Sequence, residues 1–197
     1  MASVDLCSVD DVRAFLQKPS ADTTQDALIG DLITRASRLI IRHTEREFAP
    51  TSTAVTRKFE WNGGGFLSLA PYDASSITSV QRLLYDDSPV TLGAIQWRAW
   101  PVQPVDGVYS SVRIWGTVPQ SVGIRPTVIT ITGNWGFPTI PDEVRSACIE
   151  TVTTWMRRDV AAFSTTYNLD EARVERPEVL PSSAARKLDY FRRVMQG

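Results

Sequence analysis

A chain of 197 residues, 43% hydrophobic and 22% charged, has the size and balance of an ordinary globular protein with one sizeable domain, or one domain carrying a large insertion. Its net charge of −1, spread evenly over residues 1–50, 51–140 and 141–197, gives no global basis for binding nucleic acid or membrane. No apolar run approaches the roughly 18 residues that a membrane span needs, and MASVDLCSVDDV lacks the basic-then-apolar pattern of a signal peptide.

Ser8 followed by Asp11 is a capping pattern, and Val12, Phe15 and Leu16 predict a short amphipathic helix over about Val9–Gln17, ended by Pro19. A long helix follows, capped by Thr23 or Thr24 and running to about Glu47, before Pro50. Its apolar stripe falls at Leu28/Ile29, Leu32/Ile33, Ala36, Leu39/Ile40 and His43. Arg35, Arg38, Arg42 and Arg46 form a second line down the same helix. From Thr51 the period changes to alternation. Val55, Arg57, Phe59 and Trp61 predict a strand, Asn62-Gly63 a turn, and further apolar runs reach the strand-like PTVITITG. This β module holds Trp61, Trp97, Trp100, Trp115 and Trp135. Pro141-Asp142-Glu143 then opens another helix, to about Asp159. Residues 161–181 read as a loop or arm, and a last helix spans about Ser183–Met195. The fold expected is α+β: a small helical bundle built from residues 1–50 and 137–197, with an antiparallel β module inserted at 51–136.

Chemistry is thinly represented. The one histidine, His43, lies on or beside the apolar stripe, and one His with two distant Cys is no zinc site. Cys7 and Cys148 read as small buried apolar residues in a reducing compartment, not as a disulfide framework. Gly63-Gly64-Gly65 has no following Lys-Ser or Lys-Thr and reads as a hairpin loop, and Asp86-Asp87 before Ser88-Pro89 reads as a turn. No catalytic, metal or cofactor site is expected, and the protein is not expected to be an enzyme. Arginine outnumbers lysine 18 to 3, which fits either coding bias or many-donor contacts at protein interfaces. The arginine line fits a solvated face, a subunit interface or a surface facing DNA phosphates, and the neighbouring Asp31, Glu45 and Glu47 favour an interface of mixed charge.

Two stretches and their order carry a resemblance. Ile33-x-x-Ala36-Ser37-x-x-Ile40, continuing to Thr44-x-Arg46-x-Phe48, resembles the first long helix of phage head-to-tail connector (adaptor) proteins. Val128-x-x-Ile131-x-Gly133-x-Trp135-Gly136, followed by Ile140-Pro141-x-x-Val144-x-x-Ala147, resembles that family's strand, turn and second long helix. Leu180-Pro181 leading to Leu188-x-x-Phe191-Arg192-Arg193 is similar to its C-terminal helix. The chain departs from the pattern in its long, tryptophan-rich middle, and in Glu45, where the family often has Gly. The resemblance implies a structural virion protein of the phage neck, between capsid and tail, assembled in the host cytoplasm. Its partners would be the portal, a stopper or tail-completion protein, and copies of itself in a ring, typically of twelve. DNA would pass through the lumen without specific binding. Arg35, Arg38, Arg42 and Arg46 would serve the subunit interface. Residues 173–197, with Leu188, Tyr190, Phe191, Arg192 and Arg193, would dock on the portal as an arm dispensable for folding. Two alternatives are a tail-completion or head-closure protein, and a carbohydrate-binding module using Trp61, Trp97, Trp100 or Trp115.

Overall fold

The computed structural model describes residues 5–17, 19, 23–63, 65–84, 88–104, 106–115, 127–164 and 179–193. The fold is α+β, with four α-helices and two antiparallel sheets among the described residues. It divides into two compact units, one of residues 1–45 with 141–197 and one of residues 46–140.

The first unit is helical: α1 (Val9–Phe15), α2 (Asp26–Thr44), α3 (Asp142–Ser164) and α4 (Ser182–Leu188), followed by a 3-10 turn at Asp189–Phe191. Ser8 and Asp11 close a reciprocal capping box: each side chain accepts the other's backbone N–H, at 3.2 and 2.9 Å. α2 buries Ile29, Leu32, Ile33, Ala36 and Ile40, the helical spacing expected, whereas Leu28 of the expected stripe is 48% exposed. The expected Thr cap is also replaced: Gln25 occupies the N-cap and makes no side-chain capping bond. α3 contributes Val144, Ala147, Cys148, Val152 and Trp155 to the same core.

α2 ends three residues earlier than the sequence suggested. Glu45 adopts the left-handed conformation (φ 55°, ψ 32°) that terminates helices and that glycine occupies at lower cost. The departure from the connector pattern at Glu45 is thus a substitution at a position whose backbone favours glycine.

In the second unit, β1 (Val55–Trp61), β7 (Thr127–Trp135), β3 (Ala74–Leu83) and β4 (Pro89–Thr91) form one sheet in that spatial order. The other sheet is β2 (Phe66–Ser68), β6 (Ser111–Ile114) and β5 (Trp97–Trp100). Their inward side chains share a core that includes Phe59, Trp61, Leu67, Val80, Val112, Ile114, Ile129, Ile131 and Trp135. The sequence did not reveal β4, whose three residues are all exposed and leave no alternation to read.

The end of β7 fixes the unit. Trp135 donates its indole N–H to the Val55 carbonyl at 2.7 Å, and its backbone exchanges hydrogen bonds with Thr51, both at 2.8 Å. Gly136 (φ 81°) donates to the Asp73 carbonyl at 2.7 Å. Phe137 N–H donates to the Phe48 carbonyl, and the two rings lie 5.1 Å apart. A Cβ on Gly136 would sit 1.9 Å from the Ala49 carbonyl oxygen. That neighbour is backbone and cannot swing away. Gly136→Ala is therefore expected to destabilise the protein by about 3 kcal/mol or more, and Glu45→Gly to stabilise it by roughly 0.5–1 kcal/mol. Urea titrations of the two variants measure both.

Candidate functional site

Three surfaces are candidates for interaction. The first is the exposed face of α2, which carries Leu28, Asp31, Arg35, Arg38 and Arg42 at alternating steps of three and four, opposite the buried stripe. It is a mixed-charge face with an apolar start. Among the described residues, Arg38 and Arg42 form no ion pair.

Arg46 does not belong to this line. It lies beyond the helix end in the β-containing unit, where its guanidinium stands 3.6 Å from Asp73, a carboxylate with no exposed surface. The turn at Glu45 redirects the chain, so the expected period of four stops at Arg42. Arg46 offsets the charge of a buried acid and belongs to the fold. His43 is half-buried, and its Nε2 has no hydrogen-bond partner among the described residues.

The second surface is the C-terminal segment, which is docked on its own unit. Glu150 of α3 accepts from the Ser183 hydroxyl and from Lys187 Nζ at 3.0 Å, and these bonds hold its carboxyl below the usual range against the effect of burial. Trp155 donates its indole N–H to the Val179 carbonyl at 3.3 Å, and Arg193 N–H donates to the last carbonyl of α2, Thr44, at 3.2 Å. Leu188 and Phe191 are buried core residues, so the expectation that all five named residues face a partner is corrected. Only Tyr190, 66% exposed, and Arg192 stand fully open, with Arg193 half-buried. Deleting this segment would strip two apolar side chains from the core at roughly 1.5–3 kcal/mol each, so it is not a dispensable arm. Residues 165–178 and 194–197 lie outside the described residues.

The third surface was only partly anticipated. Alternation on β2, β5 and β6 turns Leu67, Val112 and Ile114 inward, leaving Phe66, Arg98, Trp100 and Arg113 on the outer face, with Trp115 beside them. Phe66 and Trp100 meet edge to face at 5.7 Å, and the Arg113 guanidinium lies 5.3 Å from the Phe66 ring and 5.2 Å from the Trp115 ring. Of the tryptophans named as a platform, Trp61 is buried and Trp97 half-buried, so only Trp100 and Trp115 are exposed, at 41% and 38%. Phe66 and Arg113 were missed. The signal that finds them is register, because Phe66 pairs with Arg113 across β2 and β6.

Among the described residues, no group of three or more His, Cys, Asp or Glu is placed to hold a metal ion. No described helix is long and apolar enough to cross a membrane. The Gly64 and Asp86-Asp87 positions lie outside the described residues, while Gly63 takes the positive φ of a turn.

A model of head completion proteins matches residues 5–194, taking in both helical segments and the β unit between them. The chain belongs to the head completion protein family. This is a family of structural phage proteins and not a class of enzymes, and it agrees with the connector-like resemblance of the helical motifs. A search of curated proteins finds no match. Like other structural components, a head completion protein works through surfaces, so the packing that presents them matters.

One ion pair holds α1 against α3. Arg145 binds Asp11 through both carboxylate oxygens, with its Nε at 3.1 Å. These bonds, opposed by partial burial and helped by the Ser8 backbone N–H and hydroxyl, draw the Asp11 carboxyl from 3.8 down to about 2. A value depressed in the folded state contributes stability that is present above about pH 4 and lost as the pH falls toward 2. Arg145→Ala is expected to return the Asp11 titration, followed by carboxyl NMR, upward toward 3.8 and to flatten the loss of stability between pH 4 and 2.

Proposed function

We propose that this head completion protein is a head-to-tail connector that assembles as a ring beneath the portal of a filled capsid. The ring extends the DNA channel and offers the stopper or tail its attachment site. The observation that carries this reading is the family match over residues 5–194, on a chain whose long helix exposes Asp31, Arg35, Arg38 and Arg42 along one face. The helical unit and the inserted β unit divide the work between them.

Arg35, Arg38 and Arg42 form one side of a head-to-tail subunit contact, against acids of the neighbouring copy. A heterologous contact of this kind closes into a ring when its rotation closes. Arginine suits such a contact because its planar fork binds carboxylates through two bonds. Tyr190 and Arg192, exposed at the end of a segment anchored by Leu188 and Phe191, contact the portal. The near-neutral charge suits a lumen through which DNA slides without specific binding.

The exposed aromatic–arginine face favours one assignment within this reading: it is where a stopper or tail-completion protein binds. Aromatic rings interleaved with arginine are typical anchors of protein contacts. Two sets of substitutions separate these roles. The triple charge reversal Arg35→Glu, Arg38→Glu, Arg42→Glu is expected to weaken assembly on portal complexes about tenfold or more, read by native mass spectrometry, with the circular dichroism spectrum unchanged. Tyr190→Ala with Arg192→Ala is expected to abolish portal capture in a pull-down. Normal rings from the triple variant would refute the arginine interface.

A further inference from the structure

The only two cysteines lie 141 positions apart in the chain, yet the fold brings them into contact. The Cys7 thiol donates to Cys148 Sγ at 3.3 Å in the buried core of the helical unit. Ser37 of α2 completes the group. Its Oγ accepts the Leu6 N–H at 2.9 Å and lies 3.8 Å from Cys148 Sγ, so its own proton is available to that sulfur. A sulfur–sulfur bond is about 2.05 Å long, so the pair needs to close by little more than about 1 Å.

Two apolar core cysteines need no such arrangement. Here the Cys148 sulfur accepts from Cys7 and has the Ser37 hydroxyl within reach. Donation by Cys7, with help from Ser37, draws the Cys148 thiol below its ordinary value despite its burial. The same hydrogen bond, then burial, push the Cys7 thiol up. The asymmetry suits a reactive sulfur next to a resolving one.

We propose that Cys7 and Cys148 form a peroxide-oxidisable dithiol that closes into an intramolecular disulfide, tying the segment before α1 to α3. The Cys148 thiolate attacks one oxygen of hydrogen peroxide, the O–O bond breaks, and the departing hydroxide takes a proton to become water. Cys148 is then a sulfenic acid. The Cys7 sulfur attacks Cys148 Sγ, the S–O bond breaks, and the leaving hydroxide takes the Cys7 proton as a second water. Two thiols have lost two electrons to one peroxide. The small oxidant matters, because Cys148 is fully buried and Cys7 is 8% exposed. The bond would join the two chain segments that flank the β unit, so it acts as a staple on the helical unit when a particle leaves a reducing host.

The test is to treat the reduced, full-length protein with hydrogen peroxide, alkylate it under denaturing conditions, and weigh it intact. The expected product is a monomer lighter by two hydrogen atoms, with no alkylated thiol, restored by dithiothreitol. Its apparent Tm is expected to rise by roughly 5–10 °C. Cys7→Ser is expected to stop at a sulfenic acid that dimedone traps, whereas Cys148→Ser gives no adduct. Ser37→Ala is expected to slow the reaction without changing its end point. Two alkylatable thiols after a treatment that oxidises an exposed dithiol would overturn the proposal. So would a product made only of cross-linked dimers.

Discussion

The approach of Gly136 to Ala49 is the constraint on which the β unit depends. At that point the backbone leaving β7 touches the backbone that enters the unit, with no room for a side chain between them. Trp135 before it and Phe137 after it lock the same two stretches, through the bonds to Val55 and Thr51 and the contact with Phe48. Arg57 reinforces the junction, its guanidinium 3.4 Å from the centre of the Tyr72 ring, 5.2 Å from the Trp135 ring and 3.8 Å from Glu47. The entry and exit of the inserted segment are thereby held side by side. A segment tied in this way can be long without raising the entropy cost of joining its flanks, because the tie is made inside the segment itself.

The helical unit solves a different problem, which is to bury one stripe of each helix while the opposite face of α2 stays exposed. Its ends are fixed by charge: Arg13 binds Asp10 and Asp26 between α1 and α2, Arg145 binds Asp11 between α1 and α3, and Lys187 binds Glu150 between α3 and α4. The more open Arg145 and Lys187 pairs each add little stability, whereas the Arg13 guanidinium is buried and needs its two carboxylates. Together the pairs set which helix ends meet. Stability comes mainly from the apolar stripe, and Arg38 and Arg42 of α2 form no ion pair among the described residues. The chain belongs to the head completion protein family, and the exposed face of α2 is the surface proposed above for its subunit contact.

The sequence showed the fold class and the order of elements, because period-3.6 and period-2 patterns survive without tertiary information. It showed the capping box, since Ser8 and Asp11 are three positions apart. What it missed depended on contacts between distant residues. The left-handed Glu45 ended the arginine line early, and no local pattern marks a glycine position filled by glutamate. The burial of Leu188 and Phe191 depends on where α3 lies, so the aromatics and arginines of that segment fit a docking arm and a helix packed on its own domain equally well from sequence. Phe66 joined Arg113 only through strand register. Cys7 and Cys148 met only because α1 and α3 pack together, and 141 positions of chain hide that contact from any motif.

The account rests on this protein acting at the junction of head and tail. Electron microscopy of intact virus particles carrying a gold-labelled copy tests that most directly. The account predicts label at the single tail-bearing vertex, between capsid and tail. Label along the tail or at its tip, or particles that carry none, would contradict it.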